Sequence, residues 1–320
     1  MIQYVIKRCL LVIPVLLGAT LLIFGIMELT PGDPGRIILG NTASEEEVQR
    51  LNEEMGLNKP FLERYFNFIV GLLHGDMGKS YRNGLDVAQQ IRERFSKTLL
   101  LAASAVLLAL LIGIPCGVFS AIRQYSLFDN IVSVVSLVLA AAPVFWLGLV
   151  MTLLFSVKLH LLPAAAIFNR GTAQIIKSLI LPAFCLSGNT MAIVVRTTRA
   201  SMLEVVHQDY IDTARAKGLP ESDVRKRHML KNALIPIITA VGLNFGALLG
   251  GSVLTESIFA WPGVGRFITE SIAAKDTPCV LASVVMLAIT FTLINLLVDL
   301  LYAFVDPRIK SQYQKVRRVS

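Results

Sequence analysis

Four stretches of this sequence carry residue types used in nucleotide or acyl chemistry, and each lacks a part that the chemistry needs. Gly75-Asp76-Met77-Gly78-Lys79-Ser80 ends like a phosphate-binding loop, where backbone amides and a lysine cradle phosphates. That loop needs another glycine five residues before Gly78, and Leu73 stands there. Leu186-Ser187-Gly188 is a fragment of an ATPase signature inside an apolar run. Gly250-Gly251-Ser252-Val253-Leu254 lacks the last glycine of a nucleophile elbow. Gly263-Val264-Gly265 continues to Ile268, where a dinucleotide fingerprint needs a third glycine. His74, His160, His207 and His228 show no metal-ligand spacing, so no metal site is expected. Cys9, Cys116, Cys185 and Cys279 are scattered singly and read as small buried residues. No catalytic residue and no bound cofactor is expected, so any energy source must be a partner.

Polar groups inside apolar runs form a second set of candidates. Asp299, with Asn295 one turn earlier, Asn189, Asn244 and Glu256 could line a pathway. Charged groups in lipid face a bundle interior and pair. The plainer readings are a structural contact from Asp299 to Arg308, packing hydrogen bonds from the asparagines, and solvation of Glu256 at a span end.

The third candidate is a basic island. Asp209 to Pro236 reads DYIDTARAKGLPESDVRKRHMLKNALIP and separates two strongly apolar segments. Ile211, Ala214 and Gly218 share one helical face, small and smooth, of the kind a partner protein receives closely. Arg215, Lys217, Arg225, Lys226, Arg227 and Lys231 surround it. The pattern predicts a helix ending at Gly218, a turn at Leu219-Pro220 and a second helix capped by Ser222. An ordinary charged loop that fixes topology is the alternative.

The order of residues adds a resemblance. Asp212-Thr213-Ala214-Arg215-Ala216-Lys217-Gly218 resembles the E-A-A-x-x-x-G loop of permease subunits of bacterial ATP-binding-cassette importers. YIDTARAKGL and RHMLKNALIPIIT look like the dipeptide, oligopeptide and nickel branch, as do TPGDP at Thr30–Pro34 and FAWPGVGR at Phe259–Arg266. Asp212 and Thr213 replace the motif's Glu and first Ala. The resemblance covers nearly the whole chain. It implies an all-α, six-transmembrane type I importer permease fold with Tyr210, Asp212, Ala214, Arg215, Ala216 and Gly218 coupling to an ATPase. It further implies two ATPase subunits carrying ATP and Mg, a second, homologous permease and an extracytoplasmic binding protein.

The elements that must position these residues follow from composition. The chain is 54% hydrophobic and 16% charged, with a mean hydropathy of +0.65, which places it among integral membrane proteins. Its net charge of +8 sits beside apolar runs, so it reads as topology signal and as ATPase or lipid contact, not nucleic-acid binding. Spans are expected at Cys9–Leu29, Thr98–Phe119, Ile131–Val157, Ile175–Val195, Ala233–Ile258 and Val280–Val305. The fourth is the weakest, because Lys177 lies near its start. Residues 1–30 thus hold the N-terminus and first span, and 31–97 an extracytoplasmic helical cap. Residues 98–305 form the permease core with a cytoplasmic coupling loop at 196–232, and 306–320 a cytoplasmic tail.

Within the cap, Ser44 and Glu47 form a capping box, and a helix runs from there to Gly56. Pro60 opens a second helix striped by Phe61, Tyr65, Phe68, Ile69 and Leu72; Val87, Ile91 and Phe95 make a third short stripe. These helices either pack on one another or lie on the bilayer. Gly242, Gly246 and Gly250 repeat every fourth residue and allow close backbone approach. Glu256 to Pro278 is read as a loop, with Trp261 and Phe267 as interfacial anchors.

Charge counting orients the chain. With both termini inside, 16 of the 30 Lys and Arg fall on cytoplasmic segments, eight of them between Arg196 and Lys231. The short external loops hold five and the long first loop nine. Six spans with both ends in the cytoplasm agree with this count, and the resemblance implies a bacterial cytoplasmic membrane. A stand-alone channel or secondary transporter would need an ionisable relay or an internal repeat, and an intramembrane enzyme would need a catalytic pair; neither is evident. The resemblance implies a di- or oligopeptide as cargo, with nickel or another metal chelate, or glutathione, as the alternative.

Overall fold

The computed structural model describes residues 2–30, 32–40, 42–168 and 171–305. Its thirteen labelled α-helices among these residues are α1 (Ile2–Leu29), α2 (Pro34–Leu39), α3 (Glu45–Glu54), α4 (Phe61–Leu73), α5 (Val87–Ile122), α6 (Leu127–Ala141), α7 (Val144–Met151), α8 (Thr172–Val206), α9 (Asp209–Ala216), α10 (Glu221–Asp223), α11 (Lys231–Ile258), α12 (Val264–Ala273) and α13 (Thr277–Val305). Two π-helical segments, Thr152–Lys158 and Val224–Leu230, continue α7 and α10. The chain divides into two compact units, residues 1–99 with 260–293 and residues 100–259 with 294–320.

By length and composition α5, α8 and Thr277–Val298 of α13 can each cross a membrane. Two bent pairs qualify together: α6 with Val144–Lys158, and Glu221–Leu234 with Pro236–Gly250. Among the described residues this makes three candidate spans, or five with each bent pair taken as one; the Ile13–Leu29 stretch of α1, where the first span is expected, is apolar but shorter. The expected third span, Ile131–Val157, is not one straight helix. Pro143 has no N–H to continue α6, and Ala142 before it is extended at ψ 126, so the two halves meet at 112°.

In the first unit local chemistry sets each helix start. Ser44 and Glu47 close the expected capping box: Ser44 Oγ accepts from Glu47 N at 3.3 Å and Glu47 accepts from Ser44 N at 2.9 Å. The helix stops at Met55, and Gly56 follows at φ +69. Asp33 caps α2, and Asn52 Nδ2 donates to both its oxygens at 2.9 and 3.0 Å, which ties α3 to α2. The expected arrangements placed the cap helices on one another or on the bilayer; α4 instead packs on α1, outside the cap. Phe61 and Tyr65 sit edge-on to Phe24 at 5.0 and 5.7 Å, and Tyr65 donates to Leu17 O at 2.9 Å.

The third cap stripe is not a separate short helix. Val87 and Ile91 open α5 and join Val264, Phe267, Ile268, Cys279 and Ala282 in a core. The segment expected as an irregular loop between Glu256 and Pro278 contains α12, whose Phe267 fills that core instead of anchoring at an interface. Trp261 is likewise fully buried, with its Nε1 donating to Lys97 O at 2.9 Å. Its indole has a backbone acceptor, so burial leaves no donor unsatisfied. Lys275 and Asp276 fasten the same unit. Lys275, at φ +51, donates to Thr30 O and to Gly32 O (2.6 Å), while Asp276 accepts from Ser80 Oγ and from Tyr81 N at 3.1 Å. Ser80, the last residue of the phosphate-loop lookalike, therefore serves a structural contact.

The second unit is built around α8. Its hydropathy, 1.8, is the lowest of the three long spans, yet 72% of its most apolar stretch is buried, against 28% for α5 and 33% for α13. A helix enclosed by protein needs less apolar surface than one facing lipid, which explains why the span read as weakest is the central one. It continues to Val206, eleven residues beyond the expected span end at Val195, and so takes in Arg196 and Arg199. Leu147, Leu181, Cys185 and Phe259 form the core between α7, α8 and the end of α11. Gly117 lets α5 meet α8: a Cβ there would lie 2.7 Å from Val195 O and 2.6 Å from Thr198 Cβ. Of the glycine repeat on α11, Gly242 packs against Val298, whereas Gly250 faces open space.

Candidate functional site

The basic island folds as helix, turn and helix. Helix α8 ends at Val206, Gln208 turns extended, and α9 begins at Asp209. Asp209 and Asp212 lie in its first turn, where acidic groups favour the helix dipole. Gly218 takes φ +77, the left-handed value that ends a helix, and its N–H reaches Arg215 O at 2.9 Å. The next helix starts at Glu221 behind Pro220, so Ser222 sits inside it and is not its cap.

Of the face expected to meet a partner, the chain keeps Ile211 and Ala214 for itself and leaves Gly218 exposed. Ile211 and Ala214 are buried against Met202, Val224, Met229 and Ala233. Burying Ile211 completely contributes about 2–3 kcal/mol. What α9 presents outward is Tyr210, Asp212, Thr213, Arg215, Ala216 and Lys217, followed by Gly218, all exposed. Tyr210 OH accepts from Asn232 Nδ2 at 2.9 Å. Arg215 Nε donates to Glu221 at 2.8 Å and its Nη1 faces Asp212 at 3.5 Å; Glu221 also faces Arg225 at 3.6 Å. Through its hydrogen bond the Arg215 guanidinium holds the Glu221 carboxyl below its ordinary value. Both groups are more than a third exposed, so this pair fixes side-chain positions more than it stabilises.

One turn back from Met202 on α8 stands Arg199, which sequence reasoning left as a span-ending cation. Its Nε and an Nη donate to the two oxygens of Asp129 at 2.7 and 2.8 Å. Asp129, 2% exposed, also accepts from Ser120 Oγ at the end of α5 and from Tyr125 N at 2.9 Å. Such a fork is the strong form of ion pair, because both oxygens and two guanidinium donors are matched in one plane. Three helices thus converge on one carboxylate. A signal for it was present: Ser126 caps α6 by accepting from Asp129 N at 3.3 Å, and Ser-x-x-Asp is a legible helix start.

The residues singled out as pathway candidates fall in different surroundings. Asn189 is exposed on α8, and Asn244 is half-buried and donates back to Ala240 O at 2.7 Å. Glu256 is fully buried, which corrects the reading that placed it in solvent at a span end. The Asp299 side chain and Arg308 lie outside the described residues, as does the tail from 306 to 320. Among the described residues, no group of three His, Cys, Asp or Glu is placed to hold a metal ion.

Comparison with known proteins adds the context for this geometry. Residues 113–311 match the family described as binding-protein-dependent transport system inner membrane component, and residues 1–102 match its N-terminal companion family. A dipeptide transport system permease protein of Alkalihalophilus pseudofirmus is 42% identical, over 97% of this chain and all of the relative. A glutathione transport system permease protein of Pectobacterium atrosepticum is 38% identical, over 97% of this chain and 99% of the relative. Among solved structures, a chain of the inward-facing MetNI methionine ABC transporter superposes with a TM-score of 0.57 at 18% identity, covering 68% of this chain and 97% of that one; it supports the fold. With its helical body, multiple apolar helices and two family matches, the chain belongs to the binding-protein-dependent transport system inner membrane components and is a multi-pass permease of the bacterial inner membrane.

Proposed function

We propose that this chain is one permease of an ATP-driven peptide importer, and that α9 is the handle through which ATPase subunits move it. The supporting observation is the division of α9: Ile211 and Ala214 are packed into the chain's own core, while Tyr210, Asp212, Arg215, Ala216 and Gly218 are left outward. A push on the exposed side passes through Ile211 to Met202, and one turn along α8 to the Arg199–Asp129 fork that joins α5, α6 and α8. The chain carries no hydrolytic groups of its own in this reading. ATP and Mg sit on two cytoplasmic ATPases, a homologous permease supplies the other half of the pathway, and an extracytoplasmic binding protein delivers cargo.

Peptide cargo is supported by the dipeptide permease at 42% identity. Glutathione, the cargo named for the relative at 38%, is the second reading, and it is itself a small peptide. The test is uptake by the assembled transporter in proteoliposomes, with ATP inside and the binding protein outside. Radiolabelled dipeptides, glutathione and a nickel chelate are compared. Uptake of dipeptides that needs ATP and the binding protein is expected. Uptake by the purified chain alone, or of the chelate alone, overturns the reading.

A further inference from the structure

The first unit holds a half-open cavity of about 480 Å³, walled by α1, α3, α4, the 74–86 loop and the start of α13. That volume lies within the range of small-ligand sites and suits a short peptide. Its charges come in both signs. Lys59, Arg64 and Lys79 supply cations, and Glu28, Glu53, Glu54 and Asp76 supply carboxylates. Arg64 is fixed in place by Glu28 at 2.5 Å and by the ring of Phe24 at 5.6 Å, and its Nε is buried with no acceptor. Glu28 occupies one of the guanidinium nitrogens, and the five N–H donors of an arginine leave capacity for a second carboxylate. Among the described residues, neither the Lys79 ammonium nor the Glu53 carboxylate has an ion-pair or hydrogen-bond partner.

The apolar part of the wall is as telling. Met27, Met55 and Met77, three of the chain's nine methionines, line it with Phe24 and Phe68. Methionine is unbranched and polarizable, so it re-packs around side chains of different shape. A site that fixes two charged ends and adapts between them fits ligands that share termini and vary in side chain.

We propose that this cavity is a binding site for short zwitterionic peptides, with Arg64 and Lys79 taking the carboxylate, Glu53 the ammonium, and the methionine wall the side chains. The assignment rests on the peptide-importer reading and on an extracytoplasmic position for residues 31–97; it makes the cap a station that cargo occupies before the pathway opens.

The test is equilibrium binding of radiolabelled Ala-Phe-Ala to the full chain in lipid nanodiscs, without binding protein. Asn67→Trp fills the cavity from an exposed position on α4, so folding is preserved; Arg64→Gln removes the carboxylate anchor. Saturable binding is expected, at least tenfold weaker in either variant and for N-acetyl-Ala-Phe-Ala-amide. Unchanged affinity in Asn67→Trp, or equal affinity for the capped peptide, overturns the site. So does absence of binding while the assembled importer still takes up Ala-Phe-Ala, and in that case the cargo reading stands. If the assembled importer refuses dipeptides as well as Ala-Phe-Ala, the cargo reading has failed and this site with it.

Discussion

At the scale of residues, the strongest single contact is the Arg199–Asp129 fork. Removing one partner from a fully dehydrated ion pair costs about 3–5 kcal/mol. Here Arg199 keeps 28% of its side-chain surface, so water compensates part of the loss and Asp129→Asn should cost about 2–3 kcal/mol. The expected outcome is a lower melting temperature in detergent, with insertion retained. If the fork also carries motion, ATP-dependent uptake falls further than the stability loss explains, and Arg199→Lys, which keeps charge but loses the fork, shows the same excess. Glu47 offers a smaller test with a defined sign. Hydrogen bonds from the Ser44 backbone and side chain hold its carboxyl below the ordinary value of 4.5. A depressed carboxyl stabilises the fold above its unfolded value and loses that contribution as pH falls through its folded value. Protection factors in α3, corrected for the intrinsic pH dependence of amide exchange, should therefore fall on acidification, and Glu47→Gln should abolish that fall.

At the scale of elements, α9 should separate anchoring from docking. Ile211→Ala removes a fully buried side chain, and a loss of about 2–4 kcal/mol exceeds what an eight-residue helix gains from its own propensity. Helix α9 should detach from α8, seen as fast hydrogen exchange over Asp209–Ala216, with ATPase stimulation lost although the ATPases still bind. Gly218 tests a different cause. Space around it is open, so a side chain meets no clash, but φ +77 strains a β-branched residue. Gly218→Val should abolish co-purification with the ATPases while Gly218→Asn, which tolerates the left-handed region, should retain it. Equal behaviour of the two variants would remove backbone geometry as the reason for glycine there.

At the scale of the whole molecule, the reading requires residues 31–97 and the loop at 196–232 to lie on opposite sides of the membrane. A cysteine at Glu47 should react with an impermeant thiol reagent added outside intact cells, and one at Asp223 only after lysis. The native cysteines make a quiet background where described: Cys185 and Cys279 are buried and Cys116 is half-buried. The reverse labelling pattern would invert the topology and remove α9 from the reach of a cytoplasmic ATPase.

What the order of residues decided by itself was local or compositional. Six apolar runs, the Ser44 capping box, the stop at Gly218 and the basic island all depend on neighbours within a few positions, where backbone propensity, capping and transfer into lipid act. Which face of α9 turns inward, the pairing of Asp129 with Arg199 across 70 positions, the burial of Trp261 and Glu256, and the centrality of the least apolar long span were decided only by packing. Apolar periodicity marks a face that avoids water, but it is silent on whether lipid, a partner or the same chain covers it. That choice belongs to contacts between distant segments, and in this chain Met202 and Val224 claim the face that Ile211 and Ala214 offer.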